Sequence, residues 1–161
     1  MRLVIADTGP INYLILIGHV DLLPRICEKV TLPTAVQMEL SGRGAPPPVQ
    51  RWIADPPTWL EIIQAPPVVA AKGIHPGEAE AIALAVLLRA DLLLMDDRRG
   101  ISAARRQGLV VTGTLGVLDV AADRGLIDFS QAIRKLEITS FRRPEIVLKA
   151  LLAKHVGRKQ P

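Results

Sequence analysis

Short apolar runs recur along the chain, and each hands over to a stretch whose apolar residues return at helical spacing. Leu3-Val4-Ile5-Ala6, Val30-Thr31-Leu32, Trp59-Leu60-Glu61-Ile62-Ile63, Leu92-Leu93-Leu94-Met95 and Leu109-Val110-Val111 read as strands, the most apolar of them buried. Between them the spacing predicts a helix over 10–17, closed by Gly18, and another over 20–27. Pro33 opens a helix carrying Val36, Glu39 and Leu40, the stretch 42–48 is a loop, and 49–54 is helical again. After a second loop from Pro66 to His75, Pro76 opens the clearest helix, 78–89. Helices over 98–107 and 114–124 end at Gly108 and Gly125, and two more follow over 129–136 and 145–155. Strands alternating with helices imply βαβ units, hence an α/β fold with a central parallel sheet. There is no internal repeat, and 1–161 reads as one domain with a core over about 1–128 and a helical extension over about 129–161.

Two of the runs end in carboxylates: Asp7 follows 3–6, and Asp96-Asp97 follow 92–95. In open α/β sheets, ligands bind just beyond the carboxyl ends of the strands. If these two strands lie side by side, several acids meet at one edge. Clustered carboxylates repel unless a cation or shared protons relieve them, so the pattern points to metal chemistry. Oxygen donors suit Mg²⁺ or Mn²⁺, which can activate water and stabilise the leaving oxygen of a phosphodiester.

Each acid also has a structural use. Asp7 could cap the helix that follows it. Asp96-Asp97 could cap the helix from Arg98, but two acids exceed what a cap needs, and side chains alternate along an extended segment. Asp97 is favoured as the ligand, with Asp96 beside it. Glu39, judged locally, fits the solvated face of its helix. Glu78 and Glu80 lie about 200° apart around a helix and cannot easily share a target. With His75 as cap and Pro76 first in the helix, Glu78 can reach back to the cap N–H, which leaves Glu80 freer for chemistry.

Composition narrows the setting. Hydrophobic residues make up 49%, which argues against disorder. The net charge of +4 is uneven: residues 1–133 carry 12 Lys/Arg against 14 Asp/Glu, whereas 134–161 carry 8 against 2. A basic segment beside an acidic core suits an enzyme that holds a polyanion, although a solvated terminal helix would look the same. The lone Cys27 excludes an internal disulfide, fits a reducing compartment and reads as core filler. An acid at position 7 comes too early for a signal peptide, and no apolar stretch is long enough to span a membrane, so the expected location is the cytoplasm.

The residues just weighed resemble the PIN-domain nucleases, especially the branch related to VapC-type toxins. Asp7-Thr8-Gly9-Pro10 is similar to that family's opening motif, and Glu39-Leu40 to its helical second acid. Gly77 to Ala85 followed by Ala90 to Gly100 resembles its central block, and Gly113 to Leu118 its next segment. The ordered set spans about 3–128. The resemblance implies a Rossmann-like PIN fold, Mg²⁺ or Mn²⁺ dependence, and endonucleolytic cleavage of RNA. It implies Asp7, Glu39, Glu80 (or Glu78) and Asp97 (with Asp96) as the metal-holding and catalytic set. Thr8, Arg98, Arg99, Arg142 and Arg143 would contact RNA. A toxin would have an antitoxin protein as partner, and PIN toxins as a class resemble homodimers, for which the 13–17 helix could supply a face, core being the other use.

The chain departs from the family pattern in offering Glu at 78 and 80 where many members have Asp, and Met95 where they have Thr. Met95 has no hydroxyl for a metal-held water, which keeps alive the rival reading of a weak or inert nucleic-acid- or protein-binding module. Asp7-Thr8-Gly9 also spells the aspartic-protease triplet, but that needs a β-rich fold. A haloacid-type phosphotransfer site needs an Asp at position 9, where Gly9 stands.

Overall fold

A computed structural model describes residues 2–158; Lys159, counted above in the basic segment, lies outside the described residues. The chain forms β1 (Leu3–Ala6), α1 (Thr8–Leu16), a 3-10 turn over Val20–Leu22 running into α2 (Leu23–Ile26), β2 (Lys29–Pro33), α3 (Thr34–Ser41) and α4 (Pro47–Ala54). It continues through β3 (Leu60–Ile63), α5 (Pro76–Leu87), β4 (Leu92–Leu94), α6 (Arg98–Arg106), β5 (Val111–Thr112), α7 (Thr114–Asp123), α8 (Phe129–Glu137) and α9 (Glu145–His155).

Prolines account for most of the boundary differences from the sequence expectation. Helix α1 begins at Thr8 rather than Pro10, with Pro10 inside the first turn, where a missing N–H has no intrahelical partner to lose. The same tolerance lets α4 take in Pro47 and Pro48, two residues earlier than expected. Pro33 ends β2 and sits at the cap position of α3 instead of inside it. Strand β5 is displaced to Val111–Thr112, because the Leu109 N–H turns back to the Ala104 carbonyl at 3.2 Å.

All strand pairs are parallel, in the order β3-β2-β1-β4-β5. From β1 the chain winds outward through β2 to β3, then returns to β4 on the other side of β1. Strands β1 and β4 therefore flank the point where the winding reverses, and a crevice opens there at their carboxyl ends. Ala6 pairs with Leu94, and the Asp7 N–H donates to the Leu94 carbonyl at 2.9 Å, so the ladder carries Asp7 to its very end.

Alternation along the strands divides the core into two layers. Val4, Ala6, Val30, Leu32 and Leu94 face a large layer built with α1 to α4, α7 and α8. Ile5, Leu93 and Met95 face a smaller one built with α5 and α6. Cys27 is buried in the large layer, as are Phe129, Ile133, Leu136 and Leu148, so the C-terminal helices share this core. Ile11, Leu14 and Ile17 also point into it, giving the apolar face of α1 a core role. No helix of the described residues is long and apolar enough to cross a membrane.

Leu94 is fully buried at the centre of the sheet. Its truncation to Ala should cost about 2–5 kcal/mol in a chemical denaturation experiment, whereas Val110→Ala, at an exposed position, should stay within about 0.5 kcal/mol.

Candidate active site

Asp7 is 6% exposed, and its Oδ1 has no hydrogen-bond partner. Burial pushes its carboxyl up to about 7; the Thr8 backbone N–H opposes the rise, while the charges of Glu78, Glu39 and Asp96 add to it. Those three acids are its electrostatic surroundings, and they arrive from three different elements.

Asp96 comes from the end of β4. Counting outward from Leu94, alternation turns it toward α7, where Thr114 receives it. Its Oδ1 accepts from the Thr114 N–H at 2.8 Å and its Oδ2 from the Thr114 hydroxyl at 2.6 Å. Burial raises its carboxyl too, against those two bonds. Gly113 makes the approach possible, because a Cβ there would collide with Asp96 Oδ1.

Glu39 stands exposed on the last turn of α3 and ties two helix starts together. Its Oε1 accepts from the Gly77 N–H at 3.1 Å, and its Oε2 accepts from the Thr8 hydroxyl. A Cβ on Gly77 would lie 2.7 Å from the Glu39 Cδ, so only glycine admits this contact. Glu78, 6% exposed, caps α5 by accepting the His75 N–H at 3.1 Å. Burial raises its carboxyl, countered by that bond and reinforced by Asp97 and Glu39.

The structure thus sets Glu39, Glu78 and Asp96 near enough to Asp7 for their charges to act on it. Two preferences drawn from the sequence fall differently. Glu78 does cap α5 as expected, but capping keeps its carboxylate at the buried edge instead of removing it. Glu80 lies further along the helix and accepts the Ala35 N–H at 3.2 Å. Asp97 is exposed, with Oδ1 capping α6 through the Arg99 and Gly100 N–H groups at 2.9 and 3.1 Å. It sits at the margin, acting on Glu78. Alternation separated the two aspartates as expected; it is Asp96 that turns toward Asp7.

The expected RNA contacts are scattered. Thr8 is engaged with Glu39. Arg98 and Arg99 open α6 and line a groove described below. Arg143 pairs with Glu137 at 3.0 Å, while Arg142 is exposed with no carboxylate partner among the described residues. Ser140, two residues before Arg142, borders a second groove together with Thr8, Asn12 and Glu39.

A different acidic group lies well down α7. Donor atoms of Asp119, Asp123 and His155 are within 4.8 Å of one another. Cations already satisfy it: Lys154 reaches Asp119 and Asp123 at 2.7 Å each, and Arg158 reaches Asp123 at 2.6 Å. His155 is buried, bonded to Asp119 and stacked on Phe129, which is a packing role. Among the described residues no ion pair engages the acids beside Asp7; their oxygen donors, one of them buried and unpartnered, are of the type a hard divalent cation takes, although no three of these residues bring donor atoms within 4.8 Å of one another as the α7 group does.

Thr114 was not among the residues singled out from the sequence. The signal was present: Thr112-Gly113-Thr114 follows a third apolar run, so a donor pair arrives at the same edge as the acids.

A protein-family model described as "DUF3368: PIN domain" matches residues 3–156. Among solved structures, a PilT N-terminus domain protein from the hyperthermophilic archaeon Sulfolobus solfataricus P2 is similar, with 18% identity and a TM-score of 0.49, covering 89% of this chain and 100% of that one. The chain has no match among curated proteins.

With its carboxyl raised, folded Asp7 binds a proton that the unfolded chain has released between about pH 4 and 7. Folded-state stability therefore falls as pH rises through that window, by at most about 4 kcal/mol from this group. Thermal unfolding of the metal-free protein should show Asp7→Asn more stable than wild type at pH 8 and similar to it at pH 4. Equal stability at both pH values would contradict the burial argument.

Proposed function

The chain belongs to the PIN-domain family, and on that premise we propose that it is a metal-dependent endoribonuclease whose acids at the β1–β4 edge hold Mg²⁺ or Mn²⁺. PIN domains are generally nucleases and typically use divalent metals. The observation that carries the reading is the buried, partly unpartnered Asp7 carboxylate set among Glu39, Glu78 and Asp96. Burial makes the ionised form of these carboxyls costly, and a divalent cation would offset that cost.

Asp7, Glu78 and Asp96 would hold the metal directly, and Glu39, fixed between Thr8 and Gly77, would complete the ring. When bound, the cation supplies a water nucleophile at neutral pH and neutralises charge developing on the phosphate. Thr114 keeps Asp96 aimed at the centre through two hydrogen bonds, as a supporting shell does for a ligand. Asp97 and Glu80 act one step back: the first orients the start of α6, the second fastens α5 to the start of α3. Arg98 and Arg99, beginning the helix that Asp97 caps, hold the phosphate backbone as it leaves the centre.

The toxin reading, with an antitoxin protein as partner, a homodimer as working form and the cytoplasm as location, rests on the sequence resemblance alone. An inert binding module is favoured by one observation. Met95 is fully buried against the α5–α6 layer, so no hydroxyl stands at that point of the edge.

Cleavage of single-stranded and structured RNA with Mn²⁺ separates the readings. Asp7→Asn, Glu78→Gln and Asp96→Asn should each lower kcat/KM by more than about 100-fold, above the range seen for supporting residues. Asp97→Asn, which preserves the helix cap, and Glu80→Gln should lose less than about 10-fold. A wild type that cuts no better than the Asp7→Asn/Asp96→Asn double variant would give the site to the binding module.

A further inference from the structure

Beside the acidic centre lies a groove of about 300 Å³ between α6 and the loop leading into α5. Its lining includes Lys72, Arg98, Arg99, Ser102 and Arg106, with no carboxylate among them. We infer that this groove is the track for one strand of the nucleic-acid substrate, gripping successive phosphates as the strand leaves the acidic centre. The inference deepens the nuclease reading and rests on it for the direction of the strand, while the binding itself stands on the groove.

Three observations carry it. First, these cations are not spoken for. Lys29, Arg143, Lys154 and Arg158 each lie within 4 Å of a carboxylate, but among the described residues Lys72, Arg98, Arg99 and Arg106 do not. Four unpaired cations repel one another around so small a space, which favours a polyanion there. Second, the arrangement is linear. Arg98, Ser102 and Arg106 recur every fourth residue of α6, so they form a row with steps of about 6 Å along one face of the helix. A row suits a chain of phosphates better than a single compact anion. Third, the row begins at the acids. A Cβ on Gly100 would stand 3.5 Å from Glu78 Oε2, and Gly100 is also bonded to Asp97, so the amino end of α6 touches the centre.

The lining contains no aromatic residue, so bases find no stacking platform. Recognition would therefore be of the sugar–phosphate backbone, with little base preference from this face.

The test is binding of a labelled oligouridylate of about ten nucleotides in EDTA, so that neither metal nor cleavage enters the readout. Lys72→Gln/Arg106→Gln should weaken binding about tenfold or more at moderate salt. It should also make the slope of log K against log salt shallower by about 1.4, since each lost phosphate contact on a single strand removes about 0.7. Arg134→Gln/Lys149→Gln, which removes two exposed cations elsewhere, should leave both quantities near wild type. An unchanged slope in the groove variant would overturn the inference. So would displacement of the RNA by polyglutamate of equal length at equal concentration, which would make the groove a site for an acidic peptide. Failure of the nuclease reading looks different, because a groove that binds RNA beside a centre that never cuts leaves this result intact.

Discussion

The burial of carboxylates at one sheet edge, where ionisation is costly, is the constraint around which the rest of the chain is arranged. Strand β1 delivers Asp7 to a nearly dry position where its own ionisation is costly. Three further acids are then fixed around it by hydrogen bonds: the start of α7 for Asp96, the starts of α1 and α5 for Glu39, the cap of α5 for Glu78. Helix starts carry partial positive charge and free N–H groups, so they are the one backbone feature that can hold several carboxylates together without salt-bridging them away. The parallel α/β sheet supplies such starts just past the ends of its strands, and the reversal of winding between β1 and β4 leaves room between them.

The chain disposes of its positive charge in two ways. Along α7 and α9, Lys154 and Arg158 neutralise Asp119 and Asp123, turning a geometrically plausible metal group into an ion-pair network that fastens the last helix. Around α6 the cations are left unpaired beside a centre that is itself short of cations. The basic C-terminal segment that stands out in the sequence thus contributes in part to holding the fold, and the less conspicuous arginines of α6 form an open positive surface beside the acids.

Much of this was legible from residue patterns. Short continuous apolar runs located the five strands of the described residues, because strands of a parallel sheet buried on both faces carry apolar side chains on both sides. The family resemblance and the strand ends picked out Asp7, Glu39, Glu78, Glu80, Asp96 and Asp97. What the sequence could not order was each pair of neighbours. Glu78 against Glu80, and Asp96 against Asp97, differ by a rotation about a helix or by one step of alternation. Their direction depends on which distant N–H is waiting: Ala35 for Glu80, Thr114 for Asp96. Such partners lie 45 and 18 residues away, beyond any local rule. Proline boundaries failed for a related reason, since a helix's first turn tolerates proline and the apolar pattern alone does not say where that turn begins.

The central claim is that the β1–β4 edge, and not the ion-paired group on α7, holds a divalent cation. Crystals soaked in Mn²⁺ and measured at the manganese absorption edge address it directly. The account predicts an anomalous peak bounded by Asp7, Glu78 and Asp96, absent from crystals of Asp7→Asn. A peak confined to Asp119, Asp123 and His155, or none at the β1–β4 edge at saturating Mn²⁺ and pH 8, would contradict it.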